Sequence, residues 1–193
     1  MSKLRMHRLR RDFYDRSTLA VAKDLLGCLL VHEVAGKTLV GRIVETEAYD
    51  GFDDRASHAS RRKTPRNEVM FQEPGHAYVY LIYGMHHCLN FVTREKDYPA
   101  AVLIRALEPV AGIDVSTQGP GRLTRAMGID RSHDRVDITR PPLYVAPRDM
   151  GEPLIDCSAR IGVAYAGEWA SALRRFFVKD CSWVSAPRSS RSQ

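Results

Sequence analysis

Short runs of apolar residues, many of them alternating with polar ones and bounded by turn residues, dominate the hydrophobic pattern of the chain. Alternation with a period of two predicts strands. The predicted strands are Cys28–Val34, Thr38–Tyr49, Ala77–Tyr83, His86–Thr93, Ala100–Leu107, Leu143–Pro147, Ala159–Ala166 and Arg175–Val178. A turn at Ala35-Gly36-Lys37 is predicted to join the first two strands into a hairpin. Because helical signals are few and short, the pattern favours a single α+β domain in which short helices flank a curved, largely antiparallel sheet.

Two short helices are predicted from their end signals. Ser17 is a suitable N-cap for a helix that runs to Leu26 and closes at Gly27. A second helix is predicted over 119–127, where a Gly-Pro-Gly sequence opens it. Between strands, the polar segment 51–73 is long for a connection. Loops of this length in compact domains are usually binding loops or disordered segments.

Composition and charge constrain the function only loosely. The chain has 193 residues, of which 44% are hydrophobic, and this is enough for a substantial core. A formal net charge of +6 suits a polyanionic partner, although much of the surplus lies near the two ends. We expect one folded domain over 13–185 between loose basic tails at 1–12 and 186–193. The more informative basic patch is internal and consists of Arg61, Arg62, Lys63 and Arg66.

The cysteine pattern and the hydropathy indicate a compartment. The four cysteines are far apart and form no CxxC pair: Cys28, Cys88, Cys157 and Cys181. They are typical of reduced thiols in a cytosolic protein, and neither of zinc ligands nor of a disulfide framework. No apolar run approaches the ~18–20 residues that cross a bilayer, and the basic N-terminus lacks the apolar core of a signal peptide. We therefore expect a cytoplasmic protein without a membrane segment.

The predicted strand Thr38–Tyr49 carries two carboxylates close together. Because strand side chains alternate between faces, one face is predicted to hold Ile43, Glu45, Glu47 and Tyr49, and the core face to hold Val40, Val44 and Ala48. The carboxylate face is then either a solvated strand face or a site beside the long polar loop. A metal is not predicted, because the nearby His58 has no partners at ligand spacing.

Arg105 interrupts an otherwise apolar predicted strand. A buried guanidinium needs a carboxylate partner, because an unpaired charge there costs several kcal/mol. The candidate partners are Glu45, Glu47 and Glu108. Such a pair could be a structural ion pair of the core, or an arginine that keeps a carboxylate ionised and helps to hold a water molecule.

Aromatic side chains cluster on the predicted strand Ala77–Tyr83. Tyr78 and Tyr80 share one face, which is also an ordinary arrangement for strand aromatics. Tyr83 and Met85 are less ordinary, because they flank a glycine at the tip of a predicted hairpin. Exposing such side chains lowers solubility, and architectural DNA-binding proteins use them as wedges between base steps.

A series of motifs runs in order from about Leu19 to Val184. They are Glu45-Thr46-Glu47-Ala48-Tyr49 with His58, Thr64-Pro65-Arg66-Asn67, Pro74-Gly75, Tyr78 to Met85 with Cys88-Leu89-Asn90, Arg105-Ala106-Leu107-Glu108-Pro109, Gly119-Pro120-Gly121, Arg160-Ile161-Gly162 and Gly167-Glu168-Trp169. Together these motifs resemble those of the 3-methyladenine (alkyladenine) DNA glycosylases. The resemblance covers almost the whole chain and is highly specific. It implies a single domain with a curved antiparallel sheet, of the barrel type found in the formyltransferase C-terminal domain.

The resemblance also implies roles for individual residues. Glu47 corresponds to the general base that activates the attacking water, and Arg105 and the backbone carbonyl of Ile161 correspond to the other anchors of that water. The remaining matched residues form the base pocket and the DNA wedge. They are the walls Tyr49, His58 and Tyr80, the guanine-excluding Asn90, the wedge Tyr83 and its minor-groove neighbour Met85.

These roles describe a monofunctional glycosylase of base excision repair. The resemblance implies hydrolysis of damaged purines from double-stranded DNA, with 3-methyladenine, 7-methylguanine, hypoxanthine and ethenoadenine as candidate substrates. No lysine stands where a Schiff-base nucleophile is expected, so no lyase activity is predicted. We expect no cofactor, a monomer, and a location in the cytoplasm with the nucleoid. The alternatives are a non-catalytic module that binds damaged DNA or RNA, and a metal-dependent hydrolase that uses Glu45, Glu47 and His58.

Overall fold

The hairpin predicted around the Ala35-Gly36 turn begins the sheet in the computed structural model, which describes residues 7–185. Its strands are β1 (Leu29–Val34) and β2 (Lys37–Asp50), which pair antiparallel. Ala35 and Gly36 have φ values of 50° and 73°. Two consecutive positive φ values are the signature of the type I′ turn, whose twist matches the right-handed twist of the two strands that it joins.

Six further strands extend the sheet on both sides of this hairpin. They are β3 (Ala77–Ile82), β4 (His86–Val92), β5 (Ala100–Ala111), β6 (Leu143–Ala146), β7 (Ile155–Ser158) and β8 (Arg175–Val178). The strand order is β3-β4-β5-β2-β1-β6, while β8 pairs with both β2 and β7. All the pairings between these strands are antiparallel. The curled antiparallel sheet with a few short helices confirms the predicted α+β class.

The helices are short, as predicted. Within the described residues the α-helices are α1 (Arg11–Tyr14), α2 (Thr18–Asp24) and α3 (Pro120–Ala126), and 3-10 helices span Glu68–Phe71, Arg131–His133 and Ala164–Ala170. Helix α2 ends slightly earlier than predicted, and the Ser17 side chain makes no capping hydrogen bond. Helix α3 opens with Pro120, whose fixed φ suits the first helical position.

The main core lies between one face of the sheet and the helices α2 and α3. Its largest members include Val21, Leu25, Leu26, Leu30, Ile43, Val79, Leu89, Phe91, Ile104, Leu107, Leu123 and Met127. Burial of each large apolar side chain contributes about 1.5–3 kcal/mol. A second cluster packs the polar loop 51–73 onto the sheet and contains Ala59, Val69, Met70, Phe71, Tyr78, Val92 and Ala101. The loop that carries candidate site residues therefore has its own core.

A β-bulge at Val44 changes the side-chain alternation predicted for β2. The register of β2 against β5 shifts on both sides of Glu45, so that Val44 is an extra residue in β2 and Arg105 an extra residue in β5. A bulge reverses the alternation of the strand that contains it. The prediction that Ile43 shares a face with Glu45 and Glu47 is therefore wrong, because Ile43 packs in the main core.

Of the two interpretations left open for the carboxylate face, the solvated strand face is wrong. Glu45 and Glu47 are both 0% exposed. Strand β8 pairs with β2 across 45–47, on the edge opposite to β5, and the chain beyond β7 covers the carboxylates. The two acidic residues are thus part of the interior, where their partners decide their properties.

The predicted strand Ala159–Ala166 is wrong as well. Strand β7 lies earlier in the chain, and the residues after it turn into a 3-10 helix. Gly162 has a φ of 79°, which a strand does not allow. Arg160 turns inward and pairs with Asp54, so the apolar pattern of this segment marks the wall of a cavity instead of a strand.

The predicted tails lie mostly outside the described residues. Where the N-terminal segment is described, Leu9 donates a backbone hydrogen bond to Val145 at 2.8 Å and Arg11 pairs with Asp137 at 2.9 Å. Among residues 7–185, every helix falls short of the length and apolarity that a membrane crossing requires.

Candidate active site

A pocket of about 210 Å³ opens between the polar loop 51–73, the β3–β4 hairpin and the segment 161–165. Its lining contains most of the residues to which the resemblance assigned roles, namely Tyr49, His58, Tyr80, Tyr83, Asn90, Arg105 and Ile161. Glu47 is bonded to three of these lining residues and is itself fully buried. Met85 lies at the hairpin tip, 72% exposed and outside the lining.

One wall of the pocket is a cluster of aromatic rings. The His58 ring packs edge-to-face on Tyr80 with centroids 4.6 Å apart, and its Nδ1 lies 3.0 Å from the Tyr78 hydroxyl. The rings of Tyr78 and Tyr80 are 5.1 Å apart. Asn90 donates to the Tyr78 carbonyl at 3.0 Å. These contacts hold the ring orientations, so the wall is formed before any ligand enters.

The rings of this wall are uncharged at neutral pH. Although His58 lies on an exposed loop, its ring packs against the tyrosines, and this desolvation lowers the pKa of His58, which the Arg66 cation lowers further. Burial raises the pKa of Tyr78 to about 12 and raises the pKa of Tyr80 well above its ordinary value. The pocket therefore presents neutral π-faces and edges to a ligand.

Three donors converge on the Glu47 carboxylate. The backbone N–H of Ile161 donates to Oε1 at 2.7 Å, and the Tyr49 hydroxyl donates to Oε2 at 2.7 Å. Nη1 of Arg105 lies 3.3 Å from Oε1. Because a carboxylate has about four acceptor positions, these contacts fix the group and leave capacity for a water molecule.

Glu45 lies on the same strand face and has a different environment. Its Oε1 accepts hydrogen bonds from Nε of Arg105 at 2.8 Å, Nε of Arg175 at 2.7 Å and Oγ of Ser185 at 2.9 Å. Its Oε2 accepts the Ser185 N–H at 2.7 Å. Burial acts to raise the pKa of Glu45, but the charge of Arg105 and the hydrogen bonds outweigh it and leave the pKa below its ordinary value. Neither carboxylate is itself in the pocket lining: Glu47 is held by three residues that line it, whereas among the groups that hold Glu45 only Arg105 lines it.

Arg105 joins the two carboxylates and also lines the pocket. Of its three predicted partners, it contacts Glu45 and Glu47, whereas Glu108 pairs with Arg42. Desolvation acts to lower the pKa of Arg105, but the two carboxylates outweigh it and raise the pKa above its ordinary value. The guanidinium therefore carries a fixed positive charge at the floor of the pocket.

A second buried ion pair ties the polar loop to the opposite wall. Arg160 donates from its two Nη atoms to the two carboxylate oxygens of Asp54 at 2.6 and 2.8 Å, and donates to the Ala48 carbonyl at 2.8 Å. Both side chains of this pair are 0% exposed. Because His58 lies on the loop and Ile161 follows Arg160, the pair fixes the distance between two walls of the pocket.

The hairpin tip presents an exposed and strained aromatic residue. Tyr83 and Gly84 have φ values of 52° and 67°. A bulky L-residue rarely adopts this conformation, which costs of order 1 kcal/mol. Tyr83 is nevertheless 79% exposed, so packing does not compensate for the strain. Strained residues of this kind concentrate at functional sites.

Sequence reasoning missed the residues that support the site from a distance. Arg175 and Ser185 hold Glu45, and Asp54 holds Arg160, over sequence separations of 130, 140 and 106 residues. Arg160 carried a signal, since it stands among apolar residues as Arg105 does, and the same desolvation argument required a partner for it. Within residues 7–185 no group of three or more metal-ligating side chains is present.

The arrangement defines a class of enzyme. Aromatic walls over a buried carboxylate and guanidinium suit the enclosure of a planar ring and the attack of water on a bond to that ring. Residues 12–182 match the family model described as methylpurine-DNA glycosylase, and the chain belongs to this family. It is a DNA glycosylase, a DNA-repair hydrolase that cleaves N-glycosyl bonds.

Related bacterial proteins agree with this assignment. A Myxococcus xanthus protein is 51% identical over 183 residues, which cover 93% of this chain and 94% of the relative. A Legionella pneumophila protein is 49% identical, with coverages of 93% and 99%, and a Desulfitobacterium hafniense protein is 43% identical with the same coverages. All three are provisionally named 3-methyladenine DNA glycosylase. The resemblance inferred from the motifs is confirmed.

Proposed function

We propose that the enzyme flips an alkylated or deaminated purine out of duplex DNA into the pocket and hydrolyses its N-glycosidic bond with a water activated by Glu47. The proposed substrates are 3-methyladenine, 7-methylguanine, hypoxanthine and ethenoadenine. The carbon–nitrogen bond between C1′ and the base breaks and the water oxygen bonds to C1′, while Glu47 takes the proton that the water loses. A cationic 3-methyladenine or 7-methylguanine leaves as the neutral base and this proton passes to solvent, whereas hypoxanthine or ethenoadenine leaves with the bonding electrons and takes up one proton. The products are the free base and an abasic site.

The observation that carries the proposal is the position of Glu47 beneath the aromatic pocket. Its carboxylate is held by Ile161, Tyr49 and Arg105, all of which line the cavity. Cleavage of a glycosidic bond develops positive charge on the sugar, as in glycoside hydrolysis. A fixed carboxylate next to the pocket both accepts the proton of the attacking water and stabilises that charge.

The neutral aromatic wall supports the selection of damaged purines. Alkylation at N3 or N7 makes the base cationic and a good leaving group. A cation next to the faces of Tyr80 and Tyr49 gains about 0.5–2 kcal/mol from the ring quadrupoles. Because the pKa of His58 is lowered, its ring adds no repulsive charge near neutral pH. Flipping itself costs a few kcal/mol, and least for damaged or mispaired bases.

The hairpin tip supports entry into a duplex. Flipping leaves a gap in the base stack, and an aromatic side chain at a rigid turn can fill it. Tyr83 is exposed at the tip and also lines the pocket, so one residue reaches both the duplex and the extruded base. We propose that Met85, exposed at the same tip, contacts the minor groove.

The pocket composition supports monofunctional hydrolysis. A lyase reaction through a Schiff base requires a lysine beside C1′. No lysine lines the pocket within the part of the chain that the structure describes. Incubation with borohydride is therefore expected to trap no covalent enzyme–DNA adduct, whereas a trapped adduct would contradict this part of the proposal.

The test replaces Glu47 by Gln and measures base release from a duplex with a single ethenoadenine under single-turnover conditions. Loss of a general base is expected to slow release by about 10²–10⁴-fold. Binding of the same duplex, measured by fluorescence anisotropy, is expected to survive because the pocket walls are unchanged. The analogous assay on duplexes with the other three lesions defines the substrate range.

Two outcomes contradict the proposal. Full base release by Glu47→Gln would show that Glu47 is not the general base. Absence of release by the wild-type enzyme from all four lesions would indicate a binding module without catalytic activity. A chelator control distinguishes the metal-dependent hydrolase from the proposed mechanism. Water activation by Glu47 predicts the same rate with and without the chelator, whereas a metal-dependent reaction predicts a loss of activity.

A further inference from the structure

A second cavity adjoins the base pocket and has no part in the reaction proposed above. This side cleft has a volume of about 650 Å³ and is lined by Phe52, Asp53, Arg55, Ser60, Arg61, Tyr165 and Trp169. Tyr165 lines both cavities, so the side cleft continues from the base pocket. The polar loop forms one side of it and the 3-10 helix Ala164–Ala170 forms the other.

Two cations of the side cleft are uncompensated. Arg55 and Arg61 are exposed, and neither makes a side-chain hydrogen bond or ion pair within residues 7–185. Asp53 is the acidic residue that lines the cleft. Arg105 and Arg160 differ in this respect, since both are paired with buried carboxylates. Two unpaired guanidinium groups in a concave surface favour a phosphate ligand, which they can bind through bidentate contacts.

Two aromatic rings of the side cleft are exposed but supported from behind. Phe52 is 53% exposed and contacts the rings of Phe71 and Tyr98 at centroid distances of 6.2 and 6.0 Å. Tyr165 is 69% exposed and its hydroxyl donates to the Ala56 carbonyl at 3.3 Å. Exposed aromatic rings beside cationic side chains form the stacking platforms of surfaces that bind unpaired nucleotides.

We propose that the side cleft binds the nucleotide that directly flanks the flipped purine on the same strand. This inference rests on the proposed function, because it takes the base pocket as the site of the flipped purine. The flipped residue stays covalently joined to its neighbours, so the strand has to leave the pocket across an adjoining surface. Arg55 and Arg61 bind the linking phosphate, and Phe52 and Tyr165 pack against the sugar and the exposed edge of the neighbouring base, whose face lies against Tyr83.

The composition of the side cleft favours a nucleotide over a free anion. A phosphate alone leaves the exposed rings of Phe52 and Tyr165 in water, whereas a nucleotide covers the rings and the guanidinium groups together. Continuity through Tyr165 also requires a ligand that extends from the occupant of the base pocket. A strand of DNA covers the rings, binds the guanidinium groups and extends from the occupant of the base pocket.

The test is a chemical double-mutant cycle on DNA binding. Arg55→Ala/Arg61→Ala is compared with the wild type on duplexes that carry a tetrahydrofuran abasic-site analogue. One flanking phosphate at a time is replaced by a neutral methylphosphonate. In the wild type, replacement of the phosphate at one flanking position is expected to weaken binding by about fivefold or more. In the variant the same replacement is expected to have no further effect, and the slope of log Kd against log salt is expected to fall by about 1.

A matched control removes the same charge elsewhere. Lys37→Ala/Lys179→Ala loses two exposed cations that line neither cavity, and it is expected to keep the methylphosphonate effect of the wild type. Phe52→Ala is expected to weaken binding by about fivefold. Additive losses at every methylphosphonate position, or equal losses in the control, overturn the proposal. Because the analogue has no glycosidic bond, this result is independent of whether Glu47 activates water.

Discussion

Glu45 and Glu47 lie two residues apart on one strand and share Arg105, yet they occupy two different kinds of environment. Glu45 accepts four hydrogen bonds from Arg105, Arg175 and Ser185, and of these residues Arg105 alone lines the base pocket. Glu47 is held by groups that themselves line the base pocket. The first arrangement uses the whole acceptor capacity of a carboxylate, and the second leaves part of it for a ligand.

We propose that this difference separates a structural carboxylate, Glu45, from a catalytic one, Glu47. The Glu45 cluster holds Arg105 inside the fold, whereas the pocket next to Glu47 is bordered by the exposed and strained Tyr83 of the β3–β4 hairpin. The contrast makes stability and base release separable properties. Substitutions on the two sides are expected to change one property more than the other.

The largest effect on stability is expected for Glu45→Ala. The substitution leaves Arg175 buried without its counter-ion and Arg105 with one carboxylate instead of two. Breaking a buried ion pair in this way costs about 3–5 kcal/mol of the unfolding free energy. Urea denaturation measures the loss, and an unchanged midpoint would show that the cluster is not structural.

A smaller loss of stability is expected for Asp54→Asn. Unlike Glu45→Ala, this substitution is expected to slow base release as well. The pair of Asp54 with Arg160 is buried like that of Glu45, but it holds the walls of the base pocket together. We expect a loss of about 1.5–3 kcal/mol of unfolding free energy together with slower base release. Arg175→Gln is the matched variant, expected to lose stability with little change in the single-turnover rate. Equal slowing in both variants would contradict the distinction.

An effect of opposite sign on stability is expected for Tyr83→Gly. Glycine adopts the φ of 52° without strain, so the unfolding free energy is expected to rise by about 1 kcal/mol. The wedge is lost at the same time, so base release from a duplex falls, while release from a single strand is affected much less. Denaturation and single-turnover assays on both substrates measure these changes, and an equal loss on both would exclude a wedge that fills a duplex stack.

The smallest effect concerns the dependence of stability on pH. The pKa of Glu45 is lower in the folded protein than its ordinary value of 4.5. A carboxyl with a lowered folded pKa stabilises the protein above its unfolded pKa, and this contribution is lost as the pH falls through the folded pKa. Between about pH 5 and about pH 3 the unfolding free energy of the wild type is expected to fall more steeply than that of Glu45→Gln. Parallel curves would contradict the assignment.

Local pattern predicted most of the fold. The hairpin of β1 and β2 followed from alternation and from the Ala35-Gly36 turn, and β3 and β4 followed from the same signals. The bulge at Val44 was not predictable, because it arises from the register against β5 and leaves no local signal. The polar strand β7 was missed for a similar reason, since its pairing with β8 and not its hydrophobicity makes it a strand.

The residue pattern alone did not assign the chemistry of the candidate site, and the resemblance supplied the proposed roles. The residues of the base pocket were grouped through the resemblance, and the structure brings most of them into one cavity. The different environments of Glu45 and Glu47 depend on hydrogen bonds from Ser185, Arg175 and Ile161, which lie more than one hundred residues away in the sequence. Contacts of this kind follow from tertiary packing and have no signature in the local sequence.

The most direct test of the account compares Glu47→Gln with Glu45→Gln in one experiment. Single-turnover release of ethenoadenine is measured for both variants and divided by the folded fraction from denaturation curves. We expect Glu47→Gln to lose about 10²–10⁴-fold in rate with near wild-type stability, and Glu45→Gln to lose stability with a rate within about tenfold of the wild type. Equal losses of rate in the two variants, or wild-type release by Glu47→Gln, would contradict the central claim.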